Sequence, residues 1–403
     1  TGLACLPLNR EPTEGPVLLV VGESLVDELP APSGPRRVPG GSPANVARGL
    51  ARLGHPVVLR TCLGDDDAGR LVRDGLARDG VEVDTGPATP PGRAAAPTSR
   101  AVAVLDDRGR ASYDLHVTWD PGPIVIPTAA DWVHTGSLAA VLAPGDREVA
   151  RALAQAARRG LPVSVDLNSR SPLPGPPARV LAWLEDLASH ATVVKASDDD
   201  LALLAPTRPW REVARSWLRG RTRLVVITLG DRGAWARTAD DLGGVEIQVP
   251  TPAVRLVDTV GAGDTFMAAL IDGLVRAGPC PPPPGLAGSP PATVGDRAGH
   301  DLPAVRALLT ELVTRACTAA AMCCERAGAD PPTRVELDGR AGPAASPDRP
   351  AAAPPPPSPA RQPPRPPHAS TDRSSRTMAR TSSTGTTRTD TSTPPEGFRV
   401  EHD

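Results

Sequence analysis

The sequence predicts an α/β fold, a mainly parallel sheet covered by crossover helices, and two observations lead there. Between Val17 and about Leu337, short β-rich runs alternate with amphipathic segments, the order in which strands and their covering helices follow one another. Three of those segments stop at Gly54, Gly80 and Gly160, the residue type expected just past a helix end. One stretch, Ser99 to Trp119, breaks the alternation: two β-rich runs flank an Asp-Asp-Arg-Gly turn with no helix between them. A hairpin set into an α/β core in this way can serve as a lid over a site.

Taken in order, strands are expected near 17–21, 57–62, 131–134, 163–166, 192–195 and 224–229. Helices are expected over "SPANVARGLARLG", "DAGRLVRDGLARDG" and "DREVARALAQAARRG", where apolar residues recur at helical intervals. The run from Gly278 to Pro303 contains "PCPPPPG" and reads as a loop insertion between two helices, the last helix lying near 303–327. The domain plan is a flexible N-terminus over 1–16 and one domain over 17–339, its lid drawn from about 28–39 and 93–120. Residues 340–403, rich in Pro, Ala, Ser, Thr and Arg with few large apolar side chains, are expected to be disordered.

The chain of 403 residues carries a formal net charge of -2, which offers no bulk attraction to nucleic acid or an anionic membrane. Runs such as Val17–Val21 and Leu224–Ile227 are far shorter than the roughly 20 apolar residues a bilayer requires. The opening residues lack the pattern of a secretion signal. A soluble, cytoplasmic protein is expected, with small molecules rather than nucleic acid or membrane as partners. Six cysteines occur without CxxC pairs or zinc-spaced histidines, which points to reduced thiols rather than a metal knuckle or disulfide frame.

The chemistry concentrates in "DTVGAGDTF", Asp258 to Phe266, ahead of an apolar segment with helical spacing. Gly261, Ala262 and Gly263 would place unpaired N–H groups at a helix start, an anion site reinforced by the helix dipole. Asp264 in the same turn would repel an anion, and it makes sense as a base that takes the proton of a nucleophile attacking that anion. The alternative is a plain helix cap. Neither a Rossmann fingerprint, for which Phe266 stands at the third small position, nor a GxxxxGK[ST] phosphate loop is present. A second stretch brings Asp27, then Gly40-Gly41 in a tight turn before a helix, then Asn45, an acceptor and a two-way amide suited to sugar hydroxyls.

These stretches occur in one order: "GESLVD", "GGSPANVARGLARLG", "CLGDDDAGRLVRDGLARDGV", "VSVDLNSR", "VVKASDDDLALL", "VVITLGDRGAW" and "VDTVGAGDTFMAALIDGL". From about residue 17 to 337 the chain resembles the ribokinase-like (PfkB-type) carbohydrate kinases, and within them the fructokinase-like members. The resemblance implies a three-layer α/β/α core with a small β lid, and ATP-dependent transfer of phosphate to a sugar hydroxyl. Asp264 would be the catalytic base, and the amides of Gly261, Ala262 and Gly263 the anion hole. Arg170 would lie near the phosphates. Asp27, Gly40, Gly41 and Asn45 would bind the sugar, while Thr228, Gly230, Ser197 and Asp200 would line the ATP site. Mg²⁺ would accompany ATP with Asp200 acting on it indirectly, and Asp258 matches a position associated with K⁺ in several members. Some relatives dimerise through the lid.

Two departures shape the expected substrate. Leu25 and Ser42 stand where ribokinases carry Asn and Lys, which turns the reading from ribose toward fructose, with 2-keto-3-deoxygluconate, ribose or a related sugar as alternatives. The chain also has Ser197 and Asp200 where many members have Asn and Glu, so a sugar- or nucleotide-binding protein with little catalysis is the competing class.

Overall fold

The computed structural model describes residues 15–30, 34–86, 96–105, 111–169, 173–278, 301–340 and 398–401. The first half runs β1 (Val17–Val21), β2 (Leu25–Leu29), β3 (Arg36–Gly40), α1 (Ser42–Arg52), β4 (Val57–Arg60), α2 (Asp67–Arg78), β5 (Val81–Asp84), β6 (Ser99–Leu105), β7 (Ala111–His116) and β8 (Ala130–Gly136). It continues with α3 (Gly145–Arg158), β9 (Val163–Asp166), α4 (Pro177–Ser189), β10 (Val193–Ser197), α5 (Asp198–Leu204), α6 (Trp210–Ser216), β11 (Leu224–Thr228), β12 (Ala234–Thr238) and β13 (Glu246–Val249). Three helices follow, α7 (Ala262–Ala277), α8 (Leu302–Cys324) and α9 (Arg334–Arg340), and then β14 (Phe398–Glu401).

Nine strands form the central sheet in the order β13-β12-β11-β10-β9-β8-β1-β4-β5. All its pairings from β11 to β5 are parallel, and β12 and β13 complete one edge as an antiparallel extension. The parallel strands are buried on both faces, so they read as continuous apolar runs rather than alternating ones. Their side chains nevertheless divide by parity: Leu18 and Val20 of β1, with Leu224 and Val226 of β11, pack into a core with α1, α7 and α8. Leu19 and Val21, with Val225 and Ile227, pack on the other face with α3 and α4. This is the expected three-layer arrangement, and it places the carboxyl ends of β1, β8, β9, β10 and β11 along one rim.

The second sheet has the order β14-β7-β6-β2-β3. The hairpin expected over 99–119 is present as β6 and β7, paired from Arg100↔His116 to Leu105↔Ala111; its Asp-Asp-Arg-Gly turn lies outside the described residues. Strands β2 and β3 were not among the expected strands, because "LVDEL" and "RRVPG" carry charges that dilute a strand signal.

Two expectations need correcting. Within the tail 340–403, expected to be disordered, Phe398–Glu401 pair antiparallel with β7, Phe398 opposite Leu115. The alternation of Phe and Val with charged residues suits an edge strand. The remainder of that tail from 341, like residues 1–14 and most of the Pro-rich insertion, lies outside the described residues. The other correction concerns apolar length: α8 is long and apolar enough to cross a bilayer by length and composition, with 56% of its apolar window buried inside the fold. Its interspersed arginines and polar residues hid that length from a reading of continuous runs. Its buried residues, among them Leu309, Val313 and Ala316, belong to the core beneath α7.

Candidate active site

At the rim formed by the parallel strand ends, two non-glycine residues adopt left-handed backbone conformations, Ser137 (φ 57°) just after β8 and Asn168 (φ 36°) just after β9. Such strain concentrates at functional sites. Close backbone approach is needed as well: a Cβ at Gly136 would lie 2.0 Å from Asp166 O. Gly41 (φ 101°) has no room either, since a Cβ there would meet Glu23 O at 2.6 Å.

Asp264 is 6% exposed in the first turn of α7, and both of its carboxylate oxygens accept hydrogen bonds. Ser42 Oγ donates to Oδ1 at 2.7 Å, and Asn45 Nδ2 donates to Oδ2 at 2.9 Å. Two donors directed at one carboxylate fix its orientation and leave it lone pairs to accept a proton. Asp264 therefore does not cap α7; the N-cap is Gly261 in the left-handed conformation, with no side-chain cap bond. Among the described residues Asn45 Oδ1 is buried without a partner, an acceptor left open for a donor. The Ala262 N–H donates back to Thr259 O at 3.2 Å. Among the described residues the N–H groups of Gly261, Gly263 and Asp264 have no partner, so of the three amides expected at this turn Ala262 does not present a free one.

Directly over that turn stands Lys195, 3% exposed, with Nζ 3.3 Å from where a Cβ on Gly263 would be. It donates to Asp166 Oδ2 at 2.7 Å, and the two residues are register partners on β10 and β9. Burial pushes the Asp166 carboxyl up to about 6 against the pull of Lys195, with the charges of Asp200 and Asp264 adding to the rise. His134 is held neutral, down to about 3, by burial and by Lys195. A buried ion pair adds little net stability, and this one leaves Asp166 Oδ1 and the neighbouring Asn168 Nδ2 without partners among the described residues. The pair is better understood as site machinery. Sequence reasoning missed both residues; the available signal was a charged residue inside each of two buried apolar runs, "VSVD" and "VVKAS".

The other expected residues fall as follows. Asp27 on β2 lies against Gly40, where a Cβ would come within 2.1 Å of its Oδ2. That contact explains the first glycine of the pair. Ser197 and Asp200 form a capping box at the start of α5: Ser197 Oγ accepts from Asp200 N at 2.9 Å and Asp200 Oδ2 from Ser197 N at 2.7 Å. Asp200 Oδ1 also accepts from Ser169 N at 2.7 Å, which ties α5 to the loop after β9. Thr228 ends β11 opposite Ser197, and Gly230 (φ 58°) opens the following turn. Asp258 accepts from Val260 N at 3.0 Å and Gly328 N at 2.7 Å, joining the glycine turn to the loop after α8. Arg170 lies outside the described residues. No cluster of three or more His, Cys, Asp or Glu with metal-holding geometry occurs among the described residues. Mg²⁺ carried by nucleotide phosphates needs only one or two carboxylates, and the unpartnered Asp166 Oδ1 beside Asp200 fits that demand.

Glu23, also missed, is 2% exposed at the end of β1 and accepts from Ala139 N at 2.9 Å through Oε2. Burial pushes its carboxyl up from 4.5 to about 7, opposed by its hydrogen bonds. The fold thus favours the neutral acid, so Glu23 lowers folding stability progressively as pH rises from about 4.5 to 7. Glu23→Gln keeps the acceptor for Ala139 N–H and cannot ionise. Its urea midpoint is expected to match the wild type near pH 4.5 and to exceed it at pH 8, and a constant difference across that range would contradict this.

The pfkB family carbohydrate kinase profile matches residues 18–335. A fructokinase of Klebsiella pneumoniae is 33% identical over 267 residues, covering 64% of this chain and 84% of that protein. The aminoimidazole riboside kinase of Salmonella typhimurium is 32% identical over 272 residues, covering 64% and 81%. Among solved structures, a Vibrio cholerae O395 fructokinase double mutant with fructose, ADP and potassium ion bound superposes with a TM-score of 0.63 at 24% identity, covering 81% of this chain and 98% of that one. Aminoimidazole riboside kinase from Salmonella enterica, complexed with aminoimidazole riboside and an ATP analogue, gives 0.62 at 25% identity, covering 81% and 99%. With this fold, this rim of residues and a profile match across nearly the whole described core, the chain belongs to the pfkB family of carbohydrate kinases and is an ATP-dependent sugar kinase.

Proposed function

We propose that this kinase transfers the γ-phosphoryl group of ATP to the primary hydroxyl of D-fructose, with Asp264 as general base. The observation that carries the reading is the Asp264 carboxylate, buried and oriented by Ser42 and Asn45 beside unpaired helix N–H groups. In the reaction the sugar hydroxyl proton passes to Asp264 and the oxygen bonds to the γ-phosphorus. The bond from that phosphorus to the β,γ-bridging oxygen breaks, and the electron pair leaves with ADP. Asn45 Oδ1 accepts from a sugar hydroxyl, and Asp27, with Gly40 and Gly41 setting the backbone around it, completes the sugar side. The sheet containing β6 and β7 acts as the lid that excludes water.

Gly263 and Asp264 N–H, the α7 dipole and the Lys195 ammonium surround the transferring group with positive potential. Thr228, Gly230 and Ser197 line the nucleotide groove, and Arg170 adds a cation to the phosphates. Mg²⁺ bound with ATP offsets phosphate charge, and Asp166 and Asp200 are the residues that would hold its hydration shell. Asp258 and the loop carbonyls beside it would hold K⁺. The cytoplasm is the proposed location, and dimerisation through the lid sheet is the proposed assembly.

Lys195→Met keeps the side-chain volume, and Asp166, already titrating near 6, can protonate to avoid an unpaired buried charge. The variant is expected to lose about 10²- to 10³-fold in kcat with sugar KM changed far less. A purely structural lysine would instead lower the melting temperature and leave kcat intact.

Similarity to an aminoimidazole riboside kinase keeps a riboside acceptor as the second reading, with 2-keto-3-deoxygluconate and ribose as further alternatives. The test is ADP release by the full chain with ATP, Mg²⁺ and K⁺ across fructose, aminoimidazole riboside, 2-keto-3-deoxygluconate, ribose and adenosine. Fructose is expected to give the highest kcat/KM, and a higher value for any other acceptor would overturn the assignment.

A further inference from the structure

Away from the strand-end rim, a cavity of about 430 Å³ opens between β3, the outer face of α1, the end of α2 and the loop 327–330. Its lining includes five arginines, Arg36, Arg37, Arg48, Arg52 and Arg78, against two carboxylates, Asp79 and Asp330. The nearby Glu28 pairs with Arg37 at 2.9 Å and with Arg100 at 3.8 Å, so it leaves the excess of positive charge in place. Among the described residues Arg36 has no ion pair, and there the Arg78 guanidinium donates only to Asp74 O of its own helix. The volume is that of a small-molecule site, and guanidinium forks converging from separate elements match phosphate geometry.

The inner arginines connect this cavity to the catalytic turn. Arg48 Nε binds Asp79 Oδ2 at 2.7 Å while its Nη1 donates to Ala329 O at 3.0 Å. Arg52 Nη1 donates to Pro331 O at 2.7 Å and pairs with Asp330. The loop they grip holds Asp258 through Gly328 N, and Ala329 Cα would lie 2.8 Å from a Cβ on Gly261. Helix α1 itself carries Ser42 and Asn45, the two donors to Asp264.

We infer that this arginine-lined cavity is a regulatory site for a small anion bearing two phosphate groups, whose binding is felt at the 258–264 turn through loop 327–330 and α1. Two phosphates are required because the arginines fall into an outer set, Arg36, Arg37 and Arg78, and an inner pair, Arg48 and Arg52, too many for one phosphate to engage. An anion drawn in competes with Asp79 and Asp330 for the inner pair and so shifts the loop they anchor. This inference stands whichever sugar is the acceptor.

The probe is inorganic pyrophosphate, titrated calorimetrically without Mg²⁺ into the full chain saturated with a non-hydrolysable ATP analogue, so that the nucleotide site is already filled. One binding event is expected, weakened at least tenfold in the Arg36→Ala/Arg78→Ala variant and weakened by raised salt. Neither arginine belongs to the catalytic machinery, so the variant should keep the wild-type melting temperature and basal kcat. With Mg²⁺ in excess, pyrophosphate should change kcat or KM in the wild type and not in the variant. Failure to bind the saturated enzyme, or equal binding by wild type and variant, overturns the site. Binding that leaves the kinetics of the wild type untouched overturns its regulatory role.

Discussion

Asp264→Asn is expected to retain ATP binding and to lower kcat by about 10²- to 10⁴-fold, the usual contribution of a positioned general base. The substitution is nearly isosteric, and its neighbours can accommodate it. The new carbonyl oxygen can accept from Asn45 Nδ2, while the new amide donates to Ser42 Oγ, which accepts as readily as it donates. Packing at the start of α7 should therefore survive, and the melting temperature with it. What is lost is the proton acceptor in a turn that otherwise presents only donors. Thermal shift with an ATP analogue checks binding and ADP release checks turnover; residual activity within tenfold of wild type would remove Asp264 from the base role.

Asp272→Asn should produce the largest loss of stability. Asp272 sits fully buried in α7, where His55 Nε2 at 2.9 Å and Arg334 Nη2 at 2.8 Å meet its Oδ1. Arg315 Nε lies 3.6 Å and Arg276 Nη1 4.0 Å from its Oδ2. This one carboxylate thus joins the loop after α1, α7, α8 and α9. Burial alone would raise its pKa, yet the hydrogen bonds from His55 and Arg334 and the charge of Arg334 outweigh burial and hold it below the ordinary value. Since the folded group is depressed, its stabilisation is complete above the unfolded value of 3.8 and disappears as pH falls through the lower folded value. Removing one partner of a buried cluster leaves cations uncompensated and costs about 3–5 kcal/mol. Urea unfolding at pH 7 should show that loss, and a change within about 0.5 kcal/mol, typical of a surface substitution, would contradict it.

How much of this was legible in the sequence depended on how far the interacting residues lie apart in the chain. Parallel strands buried on both faces announce themselves as apolar runs, so "VLLVV" and "LVVIT" were readable. Strands β2 and β3 were not, because their stability comes from pairing at the margin of a second sheet rather than from their own composition. The glycine turn at 261–264 and the Gly40-Gly41 turn ahead of α1 were legible because each is local. Ser42, noticed only as a departure at the sugar side, proves to orient the Asp264 carboxylate across 222 residues of sequence. Lys195 and Asp166 meet only through the register of neighbouring strands, and no spacing rule exposes such a pair. Asp272 inside "MAALIDGLV" was visible as a charge in an apolar helix, with Arg276 one turn on, but its other partners, His55, Arg315 and Arg334, come from distant segments.

The most direct test of the account is a crystal structure of the full chain with fructose and a non-hydrolysable ATP analogue. The predicted result places the primary hydroxyl oxygen of the sugar within about 2.6–3.2 Å of an Asp264 carboxylate oxygen. It also places the γ-phosphate on Gly263 and Asp264 N–H with Lys195 Nζ beside it. A sugar seated with no hydroxyl in reach of Asp264, or a γ-phosphate bound away from the start of α7, would contradict it.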